Sequence, residues 1–144
     1  MTVIAYRDGI MAADGASWQG EVIVAFETRK INRTAGGWLW ACSGARDDID
    51  LFREWIEHDR SSPPPKPRED DFSAIVVRPD GEVTRFYGGH PYQVPATFVS
   101  AGAHDEFLNA VMIHGGSAEE AVRLAIKHCP WAGGEVQVER LHPA

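Results

Sequence analysis

The sequence predicts an α+β fold. Three observations lead there. The chain opens directly on a β-hairpin. Its strands and helices cluster in separate runs rather than alternating, which favours a mixed sheet or a layered arrangement over βαβ units. Finally, two helical patterns stand back to back just before one last strand. Two sheets stacked between helical layers is one arrangement that satisfies this order, and pattern alone does not choose it over other α+β folds.

Taken in order, Thr2–Tyr6 is short, apolar and rich in β-formers. Arg7-Asp8-Gly9 supplies the positive φ a tight hairpin needs, and Ile10–Ala13 returns as a second strand. Chain ends are normally loose unless a sheet holds them, so a strand at the very start is itself informative. Glu21–Phe26 and Thr28–Arg33 read as strands. Ala35-Gly36-Gly37 turns the chain into Trp38–Cys42, an apolar strand of the kind buried on both faces. Ser43-Gly44 breaks that strand. Asp47–His58 follows as a helix with Ile49, Phe52, Trp55 and Ile56 on one side, and with Asp47 and Asp48 at the positive end of its dipole.

Ser61–Asp71 carries four prolines and mixed charges and reads as a loop. Phe72–Val77 and Glu82–Tyr87 flank Pro79-Asp80-Gly81 as a second hairpin. Phe98–Ser100 is a short strand. Asp105–His114 and Ser117–His128 are helices joined at Gly115-Gly116, with Ser117 and Glu120 in capping-box spacing. Gly133-Gly134 leads into a final strand, Val136–Leu141.

Length and composition bound the function. The 144 residues suit one domain spanning 1–144, large enough to fold without disulfides or metals. The formal charge of −7 disfavours nucleic acid and anionic membrane as main partners. Met1–Ala13 lacks the basic start of a signal peptide, its apolar run being broken by Arg7 and Asp8, and no stretch is long enough to span a bilayer. A cytoplasmic protein with Cys42 and Cys129 reduced is expected. Two cysteines without a CxxC, and six histidines without a His-x-x-x-His pair, make no metal site, and no cofactor is expected. The tryptophans, Trp40 included, read first as core or interface anchors.

Thr2-Val3-Ile4-Ala5-Tyr6-Arg7-Asp8-Gly9-Ile10-Met11-Ala12-Ala13-Asp14 resembles the opening of proteasome β-type subunits and HslV-type proteases, in which a mature N-terminal Thr starts a hairpin whose second strand ends in Asp. Arg29-Lys30-Ile31 resembles the family's Lys-containing strand. The run from Cys42-Ser43-Gly44-Ala45 to Phe52 resembles its Ala-Gly-Gly turn into the first helix. Phe72–Gly81 resembles the strand and turn that follow, and Gly133-Gly134 the motif before the last strand. The likeness is closest in style to short proteasome-like proteins of bacteriophages and some bacteria. It implies a four-layer αββα sandwich, here with a trimmed first helical layer because Ser61–Asp71 stands where larger relatives carry a helix.

The resemblance also implies a site. Thr2, freed by removal of Met1, would be the nucleophile, with its own α-amine as base. Lys30 would depress that amine's pKa, Asp14 would hold Lys30, and a backbone N–H at Ser43 or Gly44 would stabilise an oxyanion. Amide hydrolysis through an acyl-enzyme ester on Thr2 is the implied reaction. A peptide or other amide is the implied substrate and a homo-oligomer, such as a ring, the implied assembly. The sequence does not say whether an ATPase partners it. Taken singly, Thr2 reads first as an edge-strand Thr, Asp14 as a turn residue and Lys30 as a solvated strand Lys, and Ser43-Gly44 has a plain reading too, as a turn that starts a helix. It is their joint appearance in the family's order that points to a site.

Departures accompany the match. The family's Gly-Ser-Gly is here Ser100-Ala101-Gly102, with Ser100 directed to the opposite side of its strand from Ala101. Cys129 and Ala132 stand where active relatives carry Asp and Ser before the final Gly-Gly. A retained Met1 would acylate the amine. A catalytically inactive assembly or scaffold protein, perhaps linked to a phage particle, is the competing expectation.

Overall fold

The computed structural model describes residues 1–143. Eleven strands and three helices run in the order β1 (Val3–Arg7), β2 (Ile10–Ala13), β3 (Ser17–Gln19), β4 (Val22–Ala25), β5 (Ile31–Arg33), β6 (Leu39–Ser43), α1 (Arg46–His58), β7 (Ser73–Val77), β8 (Val83–Tyr87), β9 (His90–Gln93), β10 (Phe98–Gly102), α2 (Asp105–Ile113), α3 (Ala118–His128) and β11 (Gln137–Arg140). They form two antiparallel sheets, β10-β1-β2-β11 and β5-β6-β7-β8-β9, plus the small hairpin β3-β4. The fold is α+β, as the element order predicts.

Local chemistry explains much of this. The first hairpin closes through Asp8 and Gly9, both at positive φ (51° and 79°), the two-residue turn whose twist matches paired strands. Its first strand is held on both sides, by β2 with Ile4 opposite Ala13 and by β10 with Ile4 opposite Ala101. Every residue of β6 is buried. α3 starts where Ser117 Oγ accepts the Glu120 N–H at 3.0 Å. α2 ends in a Schellman arrangement, the Gly116 N–H reaching Val111 O and the Gly115 N–H reaching Met112 O.

Three apolar clusters account for the packing. One joins the facing sides of the two sheets, with Ile4, Met11, Ile31, Leu39, Ile75 and Ala101. A second joins the β1-β2 sheet to α2 and α3 through Val3, Ala12, Leu108, Met112 and Val122. The third joins the β5–β9 sheet to α1, where the Phe52 ring centroid lies 5.2–5.7 Å from those of Trp40, Trp55, Phe72 and Phe86.

The structure corrects the predicted elements in places. The two strands predicted over Glu21–Phe26 and Thr28–Arg33 shorten to Val22–Ala25 and Ile31–Arg33, and two strands, β3 and β9, were not predicted. β9 is exposed along its length and contains Pro91, which an edge strand tolerates, so it offers no apolar alternation to read. The predicted strand Phe98–Ser100 runs on to Gly102. Asp48 does more than sit at the start of α1. It is buried, and its carboxylate accepts the N–H groups of Arg68 (2.8 Å) and Glu69 (3.0 Å), pinning the proline-rich loop. Among the described residues, no helix is long and apolar enough to cross a membrane.

Gly102 ends β10 where the backbone approaches most closely. Its φ is +85°, and a Cβ there would stand 2.0 Å from Thr2 O. Because that contact is backbone, it cannot relax by a rotamer change. Gly102→Ala is expected to destabilise the protein by at least about 2 kcal/mol, read as a lowered denaturant midpoint at unchanged slope.

Candidate active site

The hairpin β1-β2 delivers Asp14 one residue beyond the end of β2, directly beneath the chain's start. Asp14 is fully buried. Its Oδ1 accepts the Val3 N–H (3.1 Å) and the Lys30 ammonium (2.8 Å), and its Oδ2 accepts the Gly133 N–H (3.2 Å). Each carboxylate oxygen is therefore bonded, as a buried charge requires. Lys30 is the partner charge, with 8% of its side chain exposed. The same ammonium reaches the carbonyl of Met1, the residue before Thr2, at 3.2 Å.

Lys30 is not aimed by β5 alone. Gln137, at the start of β11, accepts the backbone N–H groups of Lys30 (2.7 Å) and Ile31 (3.0 Å) through Oε1. Through Nε2 it donates to the carbonyls of Thr28 (2.8 Å) and Asp14 (3.2 Å). One side chain thus ties the Lys30 segment to the Asp14 segment. Thr2 is held through its backbone, its carbonyl accepting the Ala103 N–H at 2.7 Å.

Burial is the main influence on the charged groups. It lowers the Lys30 ammonium below its ordinary range, against the pull of Asp14. It also lowers the α-amine at Met1, and the Lys30 charge lowers it further, while Asp14 and Asp71 oppose. The Cys42 thiol is pushed up to about 12 by burial, which keeps it protonated and a poor nucleophile.

A cleft of about 650 Å³ opens beside this cluster, lined in part by Thr2, Lys30 and Gly44. The five residues singled out from sequence do not all share it. Thr2, Lys30 and Gly44 line the cleft, Asp14 lies behind Lys30, and Ser43 is buried within β6, opposite Ser73, with its Cβ 3.3 Å from the position a Gly102 Cβ would take. Ser100 and Ala101 diverge as expected. Ser100 Oγ donates toward α2, to Asp105 O and Asn109 Oδ1, while Ala101 packs between the sheets. Cys129 and Ala132 pack against the helix-side cluster.

Sequence reasoning missed the roles of Gln137 and Gly102, and it missed Trp18 and Arg53, which also line the cleft. Only Gln137 carried a local signal, a polar residue at the head of a strand. Among the described residues, no group of three or more His, Cys, Asp or Glu side chains is placed to hold a metal ion.

No family profile matches the sequence, and no curated protein matches it. Solved structures do match. HslV from Trypanosoma brucei superposes with a TM-score of 0.68 at 18% identity, covering 96% of this chain and 98% of that one. The chain has the HslV fold. BPH from Thiobacillus denitrificans superposes with a TM-score of 0.66 at 15% identity, covering 99% of both chains, and its complex with epoxomicin does so at 16% identity. The HslV likeness covers 96% of the chain, so it describes the fold of nearly all of it.

Proposed function

We propose that the chain, acting as one domain over 1–144, is a threonine-type N-terminal-nucleophile peptidase or amidase of the proteasome β-subunit/HslV kind. The observation that carries this is the Lys30 ammonium, held by the fully buried Asp14 at 2.8 Å and reaching the carbonyl that precedes Thr2 at 3.2 Å. The three apolar clusters support the αββα stacking that such a site needs, with Ser61–Asp71 as the trimmed portion.

In this reading Met1 is removed first. It is 56% exposed, and Thr is small enough to suit methionine aminopeptidase. The amine then belongs to Thr2 and stands in the field that already lowers the Met1 amine, so its neutral, proton-accepting form is favoured near pH 7. It takes the Thr2 hydroxyl proton as the oxygen attacks the substrate carbonyl. Gly44, which lines the cleft, is better placed than the buried Ser43 to offer an N–H to the oxyanion. Collapse, with the α-ammonium returning the Thr2 proton to the leaving nitrogen, expels the amine product and leaves an ester on Thr2. Water, deprotonated by the same amine, then hydrolyses the ester and restores the Thr2 hydroxyl. The protein works as a homo-oligomer, in a ring, in the cytoplasm, without a cofactor.

A scaffold role is the second reading. Ala101 packs without exposure between the sheets and Cys129 and Ala132 sit in apolar surroundings, so the polar groups that relatives place round the amine are missing. Turnover separates the two. Protein whose intact mass shows loss of Met1 is expected to release fluorophore from peptide amides, and Thr2→Ala is expected to lose at least about a thousandfold in kcat/KM. Absence of turnover in both, with rings present by light scattering, supports the scaffold instead.

A further inference from the structure

The cleft beside Thr2 gathers four cationic side chains in a protein whose net charge is −7. Arg29, Lys30, Arg46 and Arg53 line it, against one carboxylate, Asp50. Three of these cations already have carboxylate partners: Arg29 with Glu139 (2.9 Å), Lys30 with Asp14 (2.8 Å) and Arg46 with Asp50 (3.7 Å). Arg53 has none within 4.0 Å among the described residues. Its guanidinium is nonetheless held in position. It lies 5.1 Å from the centroid of the Trp40 ring, and Nη1 donates to Asn32 Oδ1 at 3.2 Å, itself a residue of the cleft. A stacked, singly bonded guanidinium keeps N–H donors free in a fork that matches a carboxylate.

We infer that this cleft receives an acidic side chain, Glu or Asp, of the peptide cleaved at Thr2, with Arg53 as the residue that selects it. The inference rests on the proposed hydrolase reading and adds the substrate class to it. Arg53 touches the substrate side chain, not the reacting atoms, so it governs specificity. A basic side chain would meet Arg53, the lining cation that no carboxylate offsets among the described residues, and is disfavoured.

Two measurements test this separately from the hydrolase reading. In the first, fluorescein-labelled tripeptide amides ending in Glu, Leu or Lys are titrated onto the protein with Met1 removed, and anisotropy is read. The Glu peptide is expected to bind about tenfold more tightly than the other two, with the margin shrinking as salt rises. Arg53→Gln is expected to erase the margin and Arg53→Glu to reverse it toward Lys; unchanged melting temperatures show that the variants fold. In the second, the same three residues precede a fluorogenic leaving group, and the Glu substrate is expected to have the highest kcat/KM. Equal or weaker binding of the Glu peptide, or a preference untouched by Arg53→Gln, overturns the inference whether or not any peptide is cleaved. Selective Glu binding without cleavage upholds it and counts against the hydrolase reading.

Discussion

Asp14→Ala is expected to destabilise the protein by about 3–5 kcal/mol, the loss typical of breaking a buried ion pair from one side. Three donors lose their acceptor at once: the Lys30 ammonium and the N–H groups of Val3 and Gly133. Lys30 has little water to turn to, since only 8% of its side chain is exposed. The damage spans the chain, because Asp14 connects β1, the segment entering β5 and the Gly133 turn before β11. Urea unfolding checks this. Asp14→Asn, which keeps two lone pairs but not the charge, should fall between the wild type and Asp14→Ala. A loss below about 1 kcal/mol for Asp14→Ala, the size of an exposed pair, would mean that solvent reaches this cluster.

Lys30→Met is expected to lower kcat/KM by about 10²–10⁴, the range associated with losing acid–base assistance. Its pH profile is more diagnostic than its size. The base must be neutral, so activity rises with pH through the pKa of the amine. Burial and the Lys30 charge both lower the Met1 amine. The Thr2 amine freed by loss of Met1 is expected to feel the same two influences, so its limb is expected below the ordinary α-amine value of about 7.7–8.0. Removing the positive charge removes one of the two lowering influences, so the limb moves to higher pH in Lys30→Met. Lys30→Arg keeps the charge and should leave the limb near its wild-type position even if geometry lowers the rate. A limb that stays put in Lys30→Met contradicts the assigned role of Lys30.

Much of this could be read locally. Asp8-Gly9 forces a hairpin, an unbroken apolar run makes β6 a buried strand, and Ser117 starts a helix where its hydroxyl meets Glu120. Thr2, Asp14 and Lys30 carry no such local marks. A threonine opening a strand, an aspartate before glycine and a strand lysine each have ordinary explanations, and their order along the chain was the informative part. What stayed hidden depends on distant pairing. Gln137 bonds residues 106 to 123 positions away. Gly102 is constrained by Thr2 across the β1–β10 pairing, and Arg53 enters the cleft only once α1 packs on β6. β3 escaped for another reason: Ser17-Trp18-Gln19 is too short a stretch to show a period, although its partner β4 was legible within Glu21–Phe26.

The central claim is that residue 2 supplies both the attacking oxygen and its base. Intact-mass analysis of the natively expressed protein, before and after incubation with epoxomicin, tests it most directly. The expected spectrum lacks Met1 and gains one epoxomicin that peptide mapping assigns to Thr2, with Thr2→Ala unlabelled. Retention of Met1 on every molecule, or a free Thr2 that takes up no label, would contradict it.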